Sequence, residues 1–330
     1  MGGDMETTDA STIVQRLLDP AGPGAIRVGP AQAAGTLTLV PLFHEARALP
    51  YLLFAHAAGM DLVQVAEVDE AGSVPELLVT NSATRPVLLI EGEVLVGLKQ
   101  NRTLTTTILV PAGTTTLVPV ACVEQGRWNR RSAFVRSDDY LLSPRVRQLT
   151  SESVVRGVRA SGSYRADQGA VWRGVEEELD GHAIDSPTHA YSDVNLRRDA
   201  EIRALLAGIR PMPGQTGVVA VVDGRPRCAD LVDRSTTFRR LWRRIVGSYA
   251  ADALRPDALD TSPVTTGDVA AWLHALTVAE ATVHPAVGLG STVALTLADC
   301  TATALVAGGR VVHLTAFAAP ARGGQAELPR

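Results

Sequence analysis

Between Ile26 and Val123 the chain never holds a helical period. It breaks instead into short apolar or alternating runs, each closed by turn residues. That pattern admits strands and excludes long helices over the whole stretch. The runs are Thr36 to Phe43, Leu62 to Val68, Glu76 to Thr80, Arg85 to Ile90, Glu93 to Val96, Arg102 to Val110 and Thr114 to Val120. Strong turns lie at Thr80-Asn81-Ser82-Ala83-Thr84-Arg85-Pro86 and at Val110-Pro111-Ala112-Gly113-Thr114, where Asn, Pro and Gly supply the required backbone angles. Strands this short and this regularly spaced predict a β-sandwich or a strongly bent antiparallel sheet.

Further on the period changes. Arg130 to Gly169 is rich in arginine and serine and reads as a polar connector, with residues 151–163 its most loop-like part. Ala170 to Leu179 then sets Val171, Val175 and Leu179 on one helical face. Helices are also predicted over Arg198 to Ile209, Thr236 to Leu254 (with an arginine-rich outer face) and Gly267 to Val283. Three segments place a tight turn between two apolar runs: Glu91-Gly92, Asp223-Gly224 and Gly308-Gly309, the signal of a two-residue hairpin. The expected architecture is α+β: a β-rich lobe over 25–130, a connector over 131–169 and a helix-plus-hairpin lobe over 170–317. The ends, 1–24 and 318–330, are expected to be flexible apart from a short helix at Thr12 to Leu18.

Composition narrows the partners. Of 330 residues 46% are hydrophobic and 20% charged, with a net charge of −4, which suits a soluble globular chain with a real core. So small a charge gives no bulk attraction to nucleic acid or to an anionic membrane. Apolar runs such as Val218 to Val222 fall far short of the roughly 20 residues of a membrane span. The acidic N-terminus lacks an apolar signal core, so the cytoplasm is the expected compartment. Cys122, Cys228 and Cys300 are far apart and set in apolar runs, as buried small hydrophobes would be.

Lys99 is the sole lysine among 31 basic residues. Arginine replaces a merely solubilising lysine without loss. It does not replace a compact ammonium with a tunable pKa. Around it, Lys99-Gln100-Asn101-Arg102 offers two cations and two amides, and Glu93 precedes it at strand alternation. A second group, Glu124-Gln125-Gly126-Arg127-Trp128, follows an apolar strand. Together they suit an anionic ligand with a ring: Lys99, Arg102 and Arg127 for charge, Gln100 and Asn101 for orientation, Trp128 for stacking. Glu91, Glu93 and Glu124 are candidate acid/base partners, and Glu93 and Glu124 are the ones taken forward as the acid or base. The seven histidines show no metal-ligand spacing, so no metal site is expected, and no sequence motif requires a cofactor.

These residues carry a resemblance. Gly72-Ser73-Val74-Pro75, Arg85-Pro86-Val87, Gly92-Glu93, Lys99 to Arg102, Val110 to Gly113 and Glu124 to Trp128 resemble blocks of a bacterial family, the ADP-ribosylglycohydrolase- and rhodanese-phosphatase-associated proteins. Gln168 to Trp172, Ser186-Pro187-Thr188, Ala286 to Gly290 and Arg310 to Leu314 look like its later blocks, so the resemblance spans about 25–317. It implies chemistry on an NAD-derived or ADP-ribose-like nucleotide, by hydrolysis or transfer at a glycosidic or phosphate bond. A non-catalytic nucleotide-binding regulator is the alternative, and a Schiff-base enzyme using Lys99 is a third. The expected partner is a small nucleotide-like molecule, and self-association into a homo-oligomer stays open.

Overall fold

The computed structural model of the chain describes residues 3–46, 49–68, 75–129, 135–222, 224–255 and 264–319. Helix α1 (Gly3–Leu18) precedes β1 (Arg27–Val28), β2 (Gln32–Ala34), β3 (Leu37–Phe43) and β4 (Leu52–Leu53). The short α2 (Phe54–Ala58) leads into β5 (Val63–Glu67), β6 (Glu76–Asn81), β7 (Val87–Leu89), β8 (Glu93–Val96), β9 (Arg102–Leu104), β10 (Ile108–Val110) and β11 (Thr114–Cys122). After β12 (Arg136–Leu141) come α3 (Pro144–Ser161), α4 (Gln168–Gly181) and α5 (Ser192–Leu205). The chain continues through β13 (Gly217–Val222), β14 (Arg225–Val232), α6 (Ser235–Ala253) and α7 (Thr266–Ala275). It closes with β15 (Glu280–Pro285), β16 (Ser291–Thr296), β17 (Cys300–Ala307) and β18 (Arg310–Ala318).

The fold is α+β, as the spacing predicts. A six-stranded sheet, β12-β8-β9-β11-β6-β5, faces a small sheet, β10-β7-β4, across a core that includes Leu77, Val79, Leu95, Leu104, Val87, Leu89 and Ile108. This is the expected sandwich. Its outer face, with Val94, Ala121 and Val123, packs on Val146 of α3 and on Val171, Val175 and Leu179 of α4. A nine-stranded antiparallel sheet runs β1-β3-β13-β14-β18-β17-β16-β15, with β2 beside β3. One of its faces carries Leu37, Leu39 and Val218 against Phe238, Leu241 and Ile245 of α6. The other carries Val40, Leu42 and Val219 against Val14 of α1 and Leu273 of α7.

The lobes therefore interleave rather than part at residue 130. β3 pairs with β13 in full register, from Leu42↔Gly217 to Leu37↔Val222, so N-terminal chain sits inside the C-terminal sheet. The connector also needs correction. Helix α3 occupies much of 131–169, capped by the Ser143 hydroxyl at one end and by Gly162 at φ 72° at the other. Its inward face mixes buried Arg147, Thr150, Ser151 and Ser153 with Val146, Val154, Val155 and Val158, so hydrophobic periodicity does not reveal it. The N-terminal end is packed too, since Val14, Leu17 and Leu18 are buried. Helix α7 stops at Ala275, and the expected helical run beyond it becomes edge strand β15, where Thr282 and Val283 suit a pleat. Residues 320–330 lie outside the described residues.

Of the three expected hairpins, β13–β14 and β17–β18 pair as read. The third does not: β7 and β8 lie in different sheets, and Glu91-Gly92 is the crossing between them. Arg102 to Val110 likewise splits into β9 and β10, with Thr105 to Thr107 crossing back. The two crossings meet in the protein interior.

Candidate functional site

The two motif groups read from the sequence do converge, as a clasp. Arg127 Nε and Nη2 donate to Glu124 Oε1 and Oε2 at 2.8 and 2.6 Å. Arg127 Nη2 also donates to Asn101 Oδ1 (3.1 Å), and Nη1 donates to the carbonyls of Leu98 and Asn129 (2.8 and 2.7 Å). All five N–H groups of the guanidinium are thereby spent on protein acceptors. Glu124 further accepts from the Asn101 N–H and the Thr188 hydroxyl, both at 3.0 Å. Burial alone would push its carboxyl up. The hydrogen bonds from Arg127, Asn101 and Thr188, with the Arg127 charge, hold it below the usual value. The Glu124 oxygens and the Arg127 N–H groups are thus taken up by protein partners.

The same clasp draws in a third segment. The Gly126 N–H donates to Thr188 O (2.9 Å), Asn101 Nδ2 to Ser192 Oγ (3.1 Å) and the Tyr191 N–H to Val123 O (2.9 Å). A Cβ on Gly126 would meet the Thr188 Cα at 3.0 Å, so the close approach requires glycine.

Lys99, Arg102 and Trp128 lie at the outer rim of the clasp. The Lys99 ammonium and the Arg102 guanidinium are 5.5 and 5.6 Å from the Trp128 ring centroid, within cation–π range. Trp128 is 43% exposed, whereas Arg102 is buried. Gln100 Oε1 accepts from Arg102 Nη1 at 3.0 Å, which turns that amide inward, and Glu67 Oε2 is 4.0 Å from Arg102 Nη2.

Glu93 faces elsewhere. Its carboxylate, 3% exposed, accepts from Arg244 of α6 and from the Ser137 hydroxyl of β12. It forms part of the wall of a cleft of about 390 Å3 between α2, β7, β8 and α6. Leu53, Phe54, Leu88, Ile90 and Leu241 make the apolar wall, while Arg240 and Arg244 bring the positive charge, with the His56 ring beside them. That volume lies within the range of roughly 300–1,000 Å3 typical of small-molecule pockets. Sequence reading missed Arg240 and Arg244 because an arginine-rich helix face reads as solvated. Their spacing of four residues, one helical turn, was the available signal.

The crossings inside the core hold a second network the sequence did not reveal. Arg147 Nη1 and Nη2 donate to the two oxygens of Asp230 at 2.8 and 2.7 Å, with both side chains fully buried. His313 Nε2 lies 3.1 Å from Asp230 Oδ1, the Thr107 hydroxyl 2.7 Å from His313 Nδ1, and Tyr249 donates to Asp230. Glu91 sits beside them, accepting from Thr303 at 3.0 Å. Burial outweighs the pull of Arg147 and Thr303 and pushes the Glu91 carboxyl up to about 7. These residues stitch the two large sheets together. None of them lines the cleft of Glu93.

Among the described residues no group of three His, Cys, Asp or Glu side chains is placed to hold a metal ion, and no helix is long and apolar enough to cross a membrane. No curated protein and no solved structure matches the chain. The clasp brings the blocks around Lys99 to Arg102, Glu124 to Trp128 and Ser186 to Thr188 into direct contact, each holding the others in place. The model of the ARG and Rhodanese-Phosphatase-superfamily-associated Protein domain matches residues 25–317, and the chain belongs to that family.

Proposed function

We propose that the Glu93 cleft binds an NAD-derived or ADP-ribose-like nucleotide and that the protein acts on its glycosidic or phosphate bond. The observation that carries this reading is Glu93 itself: a nearly buried carboxylate, held by Arg244 and Ser137, in the wall of a pocket-sized cleft. Of the carboxylates singled out in the sequence, it is the one in the wall of this cleft. In this reading Arg240, exposed on the cleft wall, meets the diphosphate as a bidentate fork. The apolar wall takes the ring. Glu93 withdraws a proton from the attacking water or hydroxyl, and Arg244 fixes its orientation.

The test is a panel of NAD, ADP-ribose and ribosylated compounds incubated with wild type and with Glu93→Gln, read by chromatography. Turnover by wild type, falling by about 10²–10⁴ in the variant, is the expected result for one acid/base group. Affinity should stay within about tenfold, because the base acts on the transition state rather than on the bound ground state. Binding with every compound recovered intact would leave a nucleotide-binding module. Absence of both binding and turnover across the panel would overturn the reading.

A further inference from the structure

A separate cleft of about 230 Å3 opens between α3, α4 and β14. Three guanidiniums line it, Arg145, Arg173 and Arg227, together with the Gln148 amide. Two carboxylates share the rim. Glu152 already accepts from Gln148 at 2.9 Å, and Glu177 is largely exposed, 3.5 Å from Arg145 Nη1. The lining itself carries three cations against two carboxylates.

Behind this wall lie two more carboxylates, Glu178 of α4 and Asp252 of α6, both buried. Arg145 Nε is 3.7 Å from Glu178 Oε1, and Arg227 Nε is 3.6 Å from Asp252 Oδ2. At such lengths these are ion pairs without a good hydrogen bond. Arg145 Nε and Glu178 Oε2 have no hydrogen-bond partner. Arg145 and Arg227 are thus shared between a buried acid pair on the inside and the cleft on the outside.

We propose that this cleft binds a phosphate-type oxyanion, and that binding is coupled to uptake of one solvent proton by the Glu178–Asp252 pair. The oxyanion takes hydrogen bonds from Arg145, Arg173 and Arg227 in bidentate geometry. In doing so it screens Arg145 and Arg227 from the carboxylates behind them. Two buried like charges with less compensation do not both stay ionised, so the pair retains a proton. The proton comes from solvent and rests on a carboxylate oxygen. No covalent bond changes.

The surroundings fit this. Burial raises both carboxyls and the Asp252 charge raises Glu178 further, while Arg145 and Arg255 lower both and Arg227 lowers Asp252. Arg255 donates to Glu178 Oε1 at 3.2 Å from the inner side and lies outside the cleft wall. Also facing the pair are His182, with Nε2 3.8 Å from Glu178 Oε2, and the Ser143 and Tyr191 hydroxyls.

The test uses inorganic sulfate, which does not titrate between pH 6 and 8, so any proton taken up belongs to the protein. Calorimetry at one pH in buffers of different ionisation enthalpy gives the proton count. Wild type should take up a fraction of a proton approaching one, and its sulfate affinity should fall as pH rises, by about tenfold per unit at most. Glu178→Gln should bind sulfate with that uptake reduced or lost. Asp252→Asn serves the same purpose if the first variant does not fold. Arg173→Ala, an exposed change, should weaken binding about tenfold with the melting temperature unchanged. The proposal fails if sulfate does not bind, or if wild type and Glu178→Gln take up equal protons. It also fails if binding survives Arg173→Ala and is lost in Arg240→Ala, which would place the anion in the Glu93 cleft.

Discussion

The Arg127 guanidinium and the Glu124 carboxylate, three residues apart in sequence, close a bidentate pair at 2.8 and 2.6 Å with both side chains buried. A pair this fully satisfied acts as a fastener. It ties the loop after β8 to the loop after β11 and, through Thr188, to the approach to α5.

Removing one partner leaves the other charge buried and alone. Arg127→Met should destabilise the fold by about 3–5 kcal/mol, the usual cost of breaking a buried pair. The check is the denaturant midpoint and slope. A loss below about 1 kcal/mol would show that the pair is dispensable and return Arg127 to the candidates for ligand contact.

Gly92 separates two strands of different sheets at φ 80°, and a Cβ there would lie 2.7 Å from the Arg147 Cδ. Gly92→Ala therefore meets both backbone strain and a clash with a side chain locked on Asp230. We expect a loss of about 1–3 kcal/mol, read as a lower melting temperature. An unchanged melting temperature would mean that Arg147 has room to move aside.

Glu91 predicts a pH signature. Its carboxyl is raised from 4.5 to about 7 in the folded chain, first by burial, so the folded state favours the protonated form. Its contribution is complete below the unfolded value and is lost as pH rises through the folded one. A shift of that size amounts to about 3 kcal/mol. Glu91→Gln cannot ionise, so its melting temperature relative to wild type should climb between pH 5 and pH 8. Parallel pH curves for the two proteins would contradict the assignment.

Strands of the sandwich were legible where one face is buried and the other half-exposed, which leaves a period of two, as in Glu76–Asn81. Helix α3 was not, because the face it buries interleaves Arg147, Thr150, Ser151 and Ser153 with Val146, Val154, Val155 and Val158, which breaks the apolar period. The apparent β7–β8 hairpin misled for a related reason. Glu91-Gly92 has turn chemistry, yet the strands on either side are claimed by different partners. At the site, sequence proximity put Glu93 with Lys99, whereas Arg244, 151 residues away, is its actual neighbour. The network of Arg147, Asp230 and His313 is equally dispersed, with 83 residues in each step. Pairings at such separation leave no local pattern to read.

If the motif-bearing loops act as a fastener and the ligand binds in the Glu93 cleft as proposed, calorimetric titration of ADP-ribose into wild type, Arg240→Ala and Trp128→Ala separates the two regions. Loss of one charge-assisted contact to the diphosphate in Arg240→Ala should weaken binding by roughly tenfold or more, and Trp128→Ala should stay within about threefold of wild type. The reverse pattern, with binding kept in Arg240→Ala and lost in Trp128→Ala, would move the ligand onto the Lys99–Trp128 rim and contradict the account.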